Sequence, residues 1–231
     1  MMAAGFALAG SAASASSLTT YSFAGANMPA GKIVLCIAFW RATGSADRSV
    51  SSLSHPALSG AQLVAVGATS AKASYDDGSA PRVWIEMWEA TSDGTAGDLS
   101  VTLTAGAYGM SVVWFSGDQV GDAIAIGTEG TVNGGNPVTC SLTSGTAGHA
   151  VAHAFGTPGN SAPTVTISPA ADASATTAPA NYRRGGAAAW NNSTGESASF
   201  SVSAGTWDSA LAQEVLFAKA PAKKGGMMMA A

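Results

Sequence analysis

The chain has 231 residues, 47% of them hydrophobic and only 10% charged, whereas an average soluble domain carries roughly 25% charge. That length favours one domain with a buried core. Ten lysines and arginines against fourteen acidic residues give a net charge of -4, which excludes the clustered positive face that nucleic-acid binding requires. No run approaches the ~20 apolar residues of a membrane helix, so no membrane span is expected.

Residues 1–17 open on Met1-Met2-Ala3-Ala4-Gly5-Phe6-Ala7-Leu8. They lack the positive opening and the unbroken apolar stretch of a secretory signal. The expectation is an N-terminal arm. From residue 18 a period of two sets in. Ile33, Leu35, Ile37 and Phe39 alternate with Val34, Cys36, Ala38 and Trp40, so residues 33–40 form a strand apolar on both faces. Residues 83–88 place Val83, Ile85 and Met87 opposite Trp84, Glu86 and Trp88, and 110–115 behaves similarly. Such strands lie centrally, or carry a second layer or another subunit on their far side.

A second kind of strand is half polar. Leu99, Val101 and Leu103 alternate with Ser100, Thr102 and Thr104; Val165 and Ile167 alternate with Thr164 and Thr166; Phe200 and Val202 alternate with Ser199, Ser201 and Ser203. These fit antiparallel sheets with one face to solvent. Turn signals such as Asp77-Gly78, Asp93-Gly94 and Asn136-Pro137 cut the chain into about a dozen strands, the pattern of a sandwich or jelly roll. Residues 170–180 are Ala-rich, but Pro169 and Pro179 argue for extended or loop structure. No helix and no internal repeat are discernible. The fold expected is all-β: an antiparallel, jelly-roll-like β-sandwich over 18–218, with extended N- and C-terminal arms at 1–17 and 219–231.

The tail 219–231 holds Lys219, Lys223 and Lys224, then Gly225-Gly226 and Met227, Met228 and Met229. Fully extended, it spans about 43 Å, well beyond the ~17 Å radius of gyration of a compact domain of this length. It is expected to be an anchoring segment. Its lysines and methionines are the candidate partner-binding residues, because flexible thioether chains fill irregular apolar pockets.

Few residues invite chemistry. Cys36 and Cys140 lie in apolar runs and read as buried free thiols. His149 and His153 share a strand face, but a zinc site needs a third and usually a fourth ligand, and none is near in sequence. Sheet histidines are the reading, with no metal and no cofactor. Trp84, Glu86 and Trp88 offer two aromatic planes and a carboxylate, a candidate glycan-binding set; the alternative is a core or interface face whose glutamate finds a partner. Most aspartates sit in turns. There is no Gly-x-Ser-x-Gly elbow, no phosphate-cradling loop and no calcium-loop spacing. No enzyme is expected.

Several short pieces in order, Thr20-Tyr21-Ser22-Phe23, Lys32-Ile33-Val34-Leu35, Val50-Ser51-Ser52-Leu53, Gly60-Ala61-Gln62-Leu63-Val64, Val83-Trp84-Ile85-Glu86-Met87-Trp88, Gly94-Thr95-Ala96-Gly97-Asp98-Leu99, and the basic-then-apolar tip, make residues 18–231 resemble a group of β-sandwich accessory proteins of tailed bacteriophages, chiefly those of alphaproteobacterial hosts. The Ala-rich first 17 residues and the lysines at the tip, where such tails more often carry arginines, depart from that pattern. The resemblance implies a virion component on the tail or head of the particle, without chemistry of its own. The leading expectation is a non-enzymatic structural protein of the tail tip, baseplate or tail fibre. It would be present in several copies and dock through its terminal arms onto other virion proteins. The alternatives are a capsid (head) decoration protein, or a carbohydrate-binding module that recognises host surface glycans.

Overall fold

The computed structural model describes residues 5–221 apart from 79, 160–162, 181 and 204. The described residues form twenty strands and no helix. The first eleven are β1 (Gly5–Ser14), β2 (Leu18–Ala26), β3 (Gly31–Arg41), β4 (Val50–Ser54), β5 (Leu58–Leu63), β6 (Ala65–Val66), β7 (Thr69–Ser70), β8 (Lys72–Tyr75), β9 (Arg82–Ser92), β10 (Gly97–Ala107) and β11 (Gly109–Asp118). The remaining nine are β12 (Val120–Ile126), β13 (Gly130–Val132), β14 (Val138–Ser141), β15 (Gly148–Pro158), β16 (Val165–Ser168), β17 (Ala173–Ala180), β18 (Arg183–Ser193), β19 (Ser197–Val202) and β20 (Trp207–Lys219). Every pairing among these strands is antiparallel.

The strand order contains a duplication. In the first half a large sheet runs β1-β11-β3-β9-β5, with β8 also on β9, and a small sheet runs β2-β10-β4. In the second half the large sheet runs β12-β20-β15-β18-β17, with β13 also on β20, and the small sheet runs β14-β19-β16. Replacing β1, β2, β3, β4, β5, β9, β10 and β11 by β12, β14, β15, β16, β17, β18, β19 and β20 converts one pattern into the other. In each half three pairs nest: β1 with β11, β2 with β10 and β3 with β9 in the first, and β12 with β20, β14 with β19 and β15 with β18 in the second. A long hairpin rolled up in this way is a jelly roll. The sandwich expected from the sequence is therefore present twice, and the absence of a repeat holds for the residues but not for the topology.

Four layers result. The core between the first large and small sheets holds Tyr21, Phe23, Leu35, Ile37, Phe39, Trp84, Leu99 and Val101. The equivalent core of the second half holds Ala150, Ala152, Ala154, Trp190, Phe200, Trp207 and Leu216. Between the two large sheets lies a third apolar layer of Phe6, Val34, Cys36, Val113, Phe115, Val151, Val215 and Phe217, continued by Trp40, Ile85, Phe155 and Leu211. This explains the doubly apolar strands: β3, β9 and β11 are covered on one side by their own small sheet and on the other by the opposite large sheet. The half-polar strands β10, β16 and β19 belong to the small sheets, whose outer faces meet solvent. Cys36 and Cys140 are free and buried, as expected.

The segment expected as an N-terminal arm is instead an edge strand. From Gly5 to Ser14 it pairs with β11 along almost its whole length, and Phe6 plugs the layer between the large sheets, its ring edge-on to Phe217 at 5.3 Å. One buried aromatic anchors a strand that otherwise has the weak β-propensity of Ala, Gly and Ser.

Candidate functional site

Trp84, Glu86 and Trp88 face inward. β9 lies inside the first large sheet, and its even-numbered side chains from 84 to 88 point to the small sheet. Trp84 is fully buried, stacks on Phe39 at 5.5 Å and donates its indole N–H to Asp47 Oδ1 at 2.7 Å. The Glu86 carboxylate accepts the Trp88 indole N–H at 2.8 Å and the Val50 amide at 3.2 Å. Burial pushes its pKa up while these two bonds oppose the shift. Trp88 is half-buried against the same core. The glycan-platform reading is corrected accordingly: this is the core alternative, and the glutamate's partners are an indole and an amide of β4. Alternation could not reveal this, because both faces of β9 are covered.

The second sandwich buries a carboxyl group as well. Glu214 on β20 accepts the Glu196 amide on Oε1 at 2.7 Å, and burial raises its pKa to about 8, with the neighbouring Glu196 charge adding to the rise. Glu86 and Glu214 each tie a large sheet to the backbone at its small sheet. They occupy different inter-sheet cores, so they do not flank one bond as glycoside hydrolysis demands.

Two of the three histidines, His55 and His149, are held by hydrogen bonds. His55 accepts the Ala57 amide on Nδ1 at 3.1 Å, so Nε2 carries the proton that is donated to Ala26 O at 3.0 Å. His149 Nδ1 lies 3.2 Å from Asn191 Oδ1. His153 faces the layer between the large sheets, where burial holds its pKa down to about 3 and keeps the ring neutral. Among the described residues no group of three or more His, Cys, Asp or Glu side chains is arranged to hold a metal ion.

A groove that no sequence motif marks lies where the two sandwiches meet. Its volume is about 1170 Å³, and it is lined from the first unit by Gly5–Leu8, Pro29–Gly31 and Ser116–Asp118, and from the second by Asp172–Ser174 and Asn191. Asn191 closes one wall by pairing with a strand of the other unit: its Oδ1 accepts the Phe6 amide at 2.7 Å and its Nδ2 donates to Phe6 O at 3.1 Å. Gly5, at φ 131°, permits this approach, since a Cβ there would lie 2.1 Å from Asn191 Oδ1. Lys32 makes a second tether: it pairs with Glu89 of its own unit at 2.7 Å and donates to the carbonyl of Gly121 in the other at 2.7 Å.

Of the tail residues, Lys219 ends β20 and donates to Asn192 Oδ1. Lys223, Lys224, Met227, Met228 and Met229 lie outside the described residues. The described chain ends beside the groove: Lys219 pairs with Val120, and the Ala220 amide donates to Gln119 O at 2.8 Å.

No protein-family model, curated protein or solved structure matches the chain.

Proposed function

We propose that the chain is a non-enzymatic structural subunit of a tailed-bacteriophage particle, located at the tail tip or in a tail fibre and docked by the segment that follows β20. The observation that carries this reading is the sequence resemblance, set on a tandem jelly roll, an architecture used by capsid and lectin domains. Three features support it. The two buried carboxyl groups, Glu86 and Glu214, lie in different cores, so they do not meet on one substrate. The outer faces of both small sheets are lined by uncharged hydroxyls in register, Ser22 and Ser54 flanking Ser100, and Thr139 and Ser168 flanking Ser199, a surface suited to close approach of neighbours without ionic repulsion. Residues 5–14 are built into the first sheet, which leaves docking to residues 222–231. Deleting 227–231 should give a folded chain that no longer enters particles. Incorporation at normal occupancy would remove the docking role.

A further inference from the structure

The large sheets of the two sandwiches share the same two ends, and charge is sorted between them. Trp40 stacks on Phe155 at 5.6 Å near one end, and Phe6 meets Phe217 near the other. All five arginines lie at the first end. Arg41 and Arg82 are register partners at the ends of β3 and β9. The Arg48 guanidinium donates to Gly106 O near the end of β10. Arg183 and Arg184 open β18, with Arg183 over the Trp40 ring. Asp47, Asp76, Asp77 and Asp208 offset these charges only in part. At the second end Asp93, Asp98, Asp118, Asp122 and Asp172 are all exposed, and Lys32 and Lys219 are the lysines beside them.

Shape follows the same axis. β17 and β18 close in a tight hairpin at the arginine end, where Ala180 pairs with Arg183. Tyr182 stands in that turn, 50% exposed, at φ 53°. Turn geometry of that kind favours Gly or Asn, so folding gives no reason for an exposed aromatic there. Tyr108 is exposed at the same end, with Arg41 over its ring at 4.2 Å. The other end of the same hairpin, Asp172–Ser174 and Asn191, forms a wall of the acidic groove, which Asp118 and the exposed Leu8 also line. A shift of one copy along the strands therefore carries its hairpin tip to the groove of the next.

We propose that copies of this chain stack head to tail, the tip of the β17–β18 hairpin of one copy seated in the groove of the next. Tyr182 lies against Leu8, and the arginine end meets Asp118 and Asp172. Tyrosine and arginine are the side chains that most often dominate interfaces. The groove, at about 1170 Å³, has room for such a turn. The contact is heterologous and repeats along the row, whereas a two-fold end-to-end dimer would oppose ends of like charge. This goes beyond the proposed function, since it needs no other virion protein, and it gives the several copies a linear arrangement.

The test uses two full-length variants, Ala178→Cys near the hairpin tip and Ser174→Cys at the groove. Both sites are exposed, while the native Cys36 and Cys140 are buried. A flexible bis-maleimide added to the mixed variants should give crosslinked dimers, and each variant alone should give few. Tyr182→Ala on the Ala178→Cys chain should cut the mixed product about tenfold, with the urea unfolding midpoint unchanged. Asp118→Lys on the Ser174→Cys chain should cut it about fivefold. Absence of the mixed product would overturn the proposal. So would equal crosslinking of each variant alone, which would show a two-fold contact or random collision, or a yield indifferent to both substitutions. Because no particle is involved, these outcomes are independent of whether the chain belongs to a virion.

Discussion

The two halves of the molecule share a strand order and fill it with different side chains. The first sandwich packs Tyr21, Phe39, Trp84, Met110 and Trp114 among leucines and isoleucines. In the second, β15, β18 and β20 present mainly alanines, and Trp190, Phe200 and Trp207 supply the bulk. Facing sheets pack about 10 Å apart whatever lines them, so a wall of alanines works only where large side chains fill the gap. The nesting of strand pairs, and not residue identity, is what the two halves have in common.

Breaking either core should cost the most. Phe39→Ala in the first sandwich and Phe200→Ala in the second should each lower stability by about 3–5 kcal/mol, read from urea unfolding. The layer of Phe6, Phe115 and Phe217 joins the halves, so both variants should shift one shared transition. Two separate transitions would show that the halves unfold independently.

Overfilling separates the cores more finely. Leu35 faces the first core on β3 and Ala152 the second on β15. Ala152→Leu should destabilise by about 1–3 kcal/mol, because the added methylenes meet a closely packed face. A neutral result in the same unfolding assay would mean that the second core is loosely filled.

The pH dependence should come largely from the second half. Glu214 is raised to about 8 in the fold from the ordinary 4.5. Its native proton is therefore retained where the unfolded chain has lost it, and its contribution to stability falls as pH rises from 4.5 to 8. His153, lowered from 6.5 to about 3, acts on the other limb. The unfolded chain takes up a proton that the native ring refuses, so stability falls as pH drops from 6.5 toward 3. Glu214→Gln should flatten the first slope and His153→Gln the second, in urea titrations across pH. Unchanged slopes would contradict the burial of these groups. At the small end, Thr102→Ala on the outer hydroxyl face loses one exposed bond to Thr20 and should stay within about 0.5 kcal/mol.

Much of the fold was legible in the sequence. The doubly apolar runs at 33–40, 83–88 and 110–115 are inner strands of the first large sheet, and the Ser/Thr-alternating runs are small-sheet strands. The duplication was hidden because Ile33-Val34-Leu35 and Ala150-Val151-Ala152 do not look alike, although β3 and β15 hold the same place. The arm expected at 1–17 became β1 over residues 5–14 because pairing with β11 satisfies its backbone, a non-local gain that Ala- and Ser-rich residues do not announce. The inward turn of Trp84 and Glu86 was equally invisible, since it depends on which side the small sheet covers. The groove is assembled from five separated stretches of chain, and no local signal marks it.

A docked, chemically silent role in a phage tail is best judged by locating the protein in assembled particles. Electron micrographs of particles carrying a gold label on this chain should show a discrete spot at the tail tip or along a fibre. Particles that assemble fully while the label stays in the unassembled fraction would contradict that role.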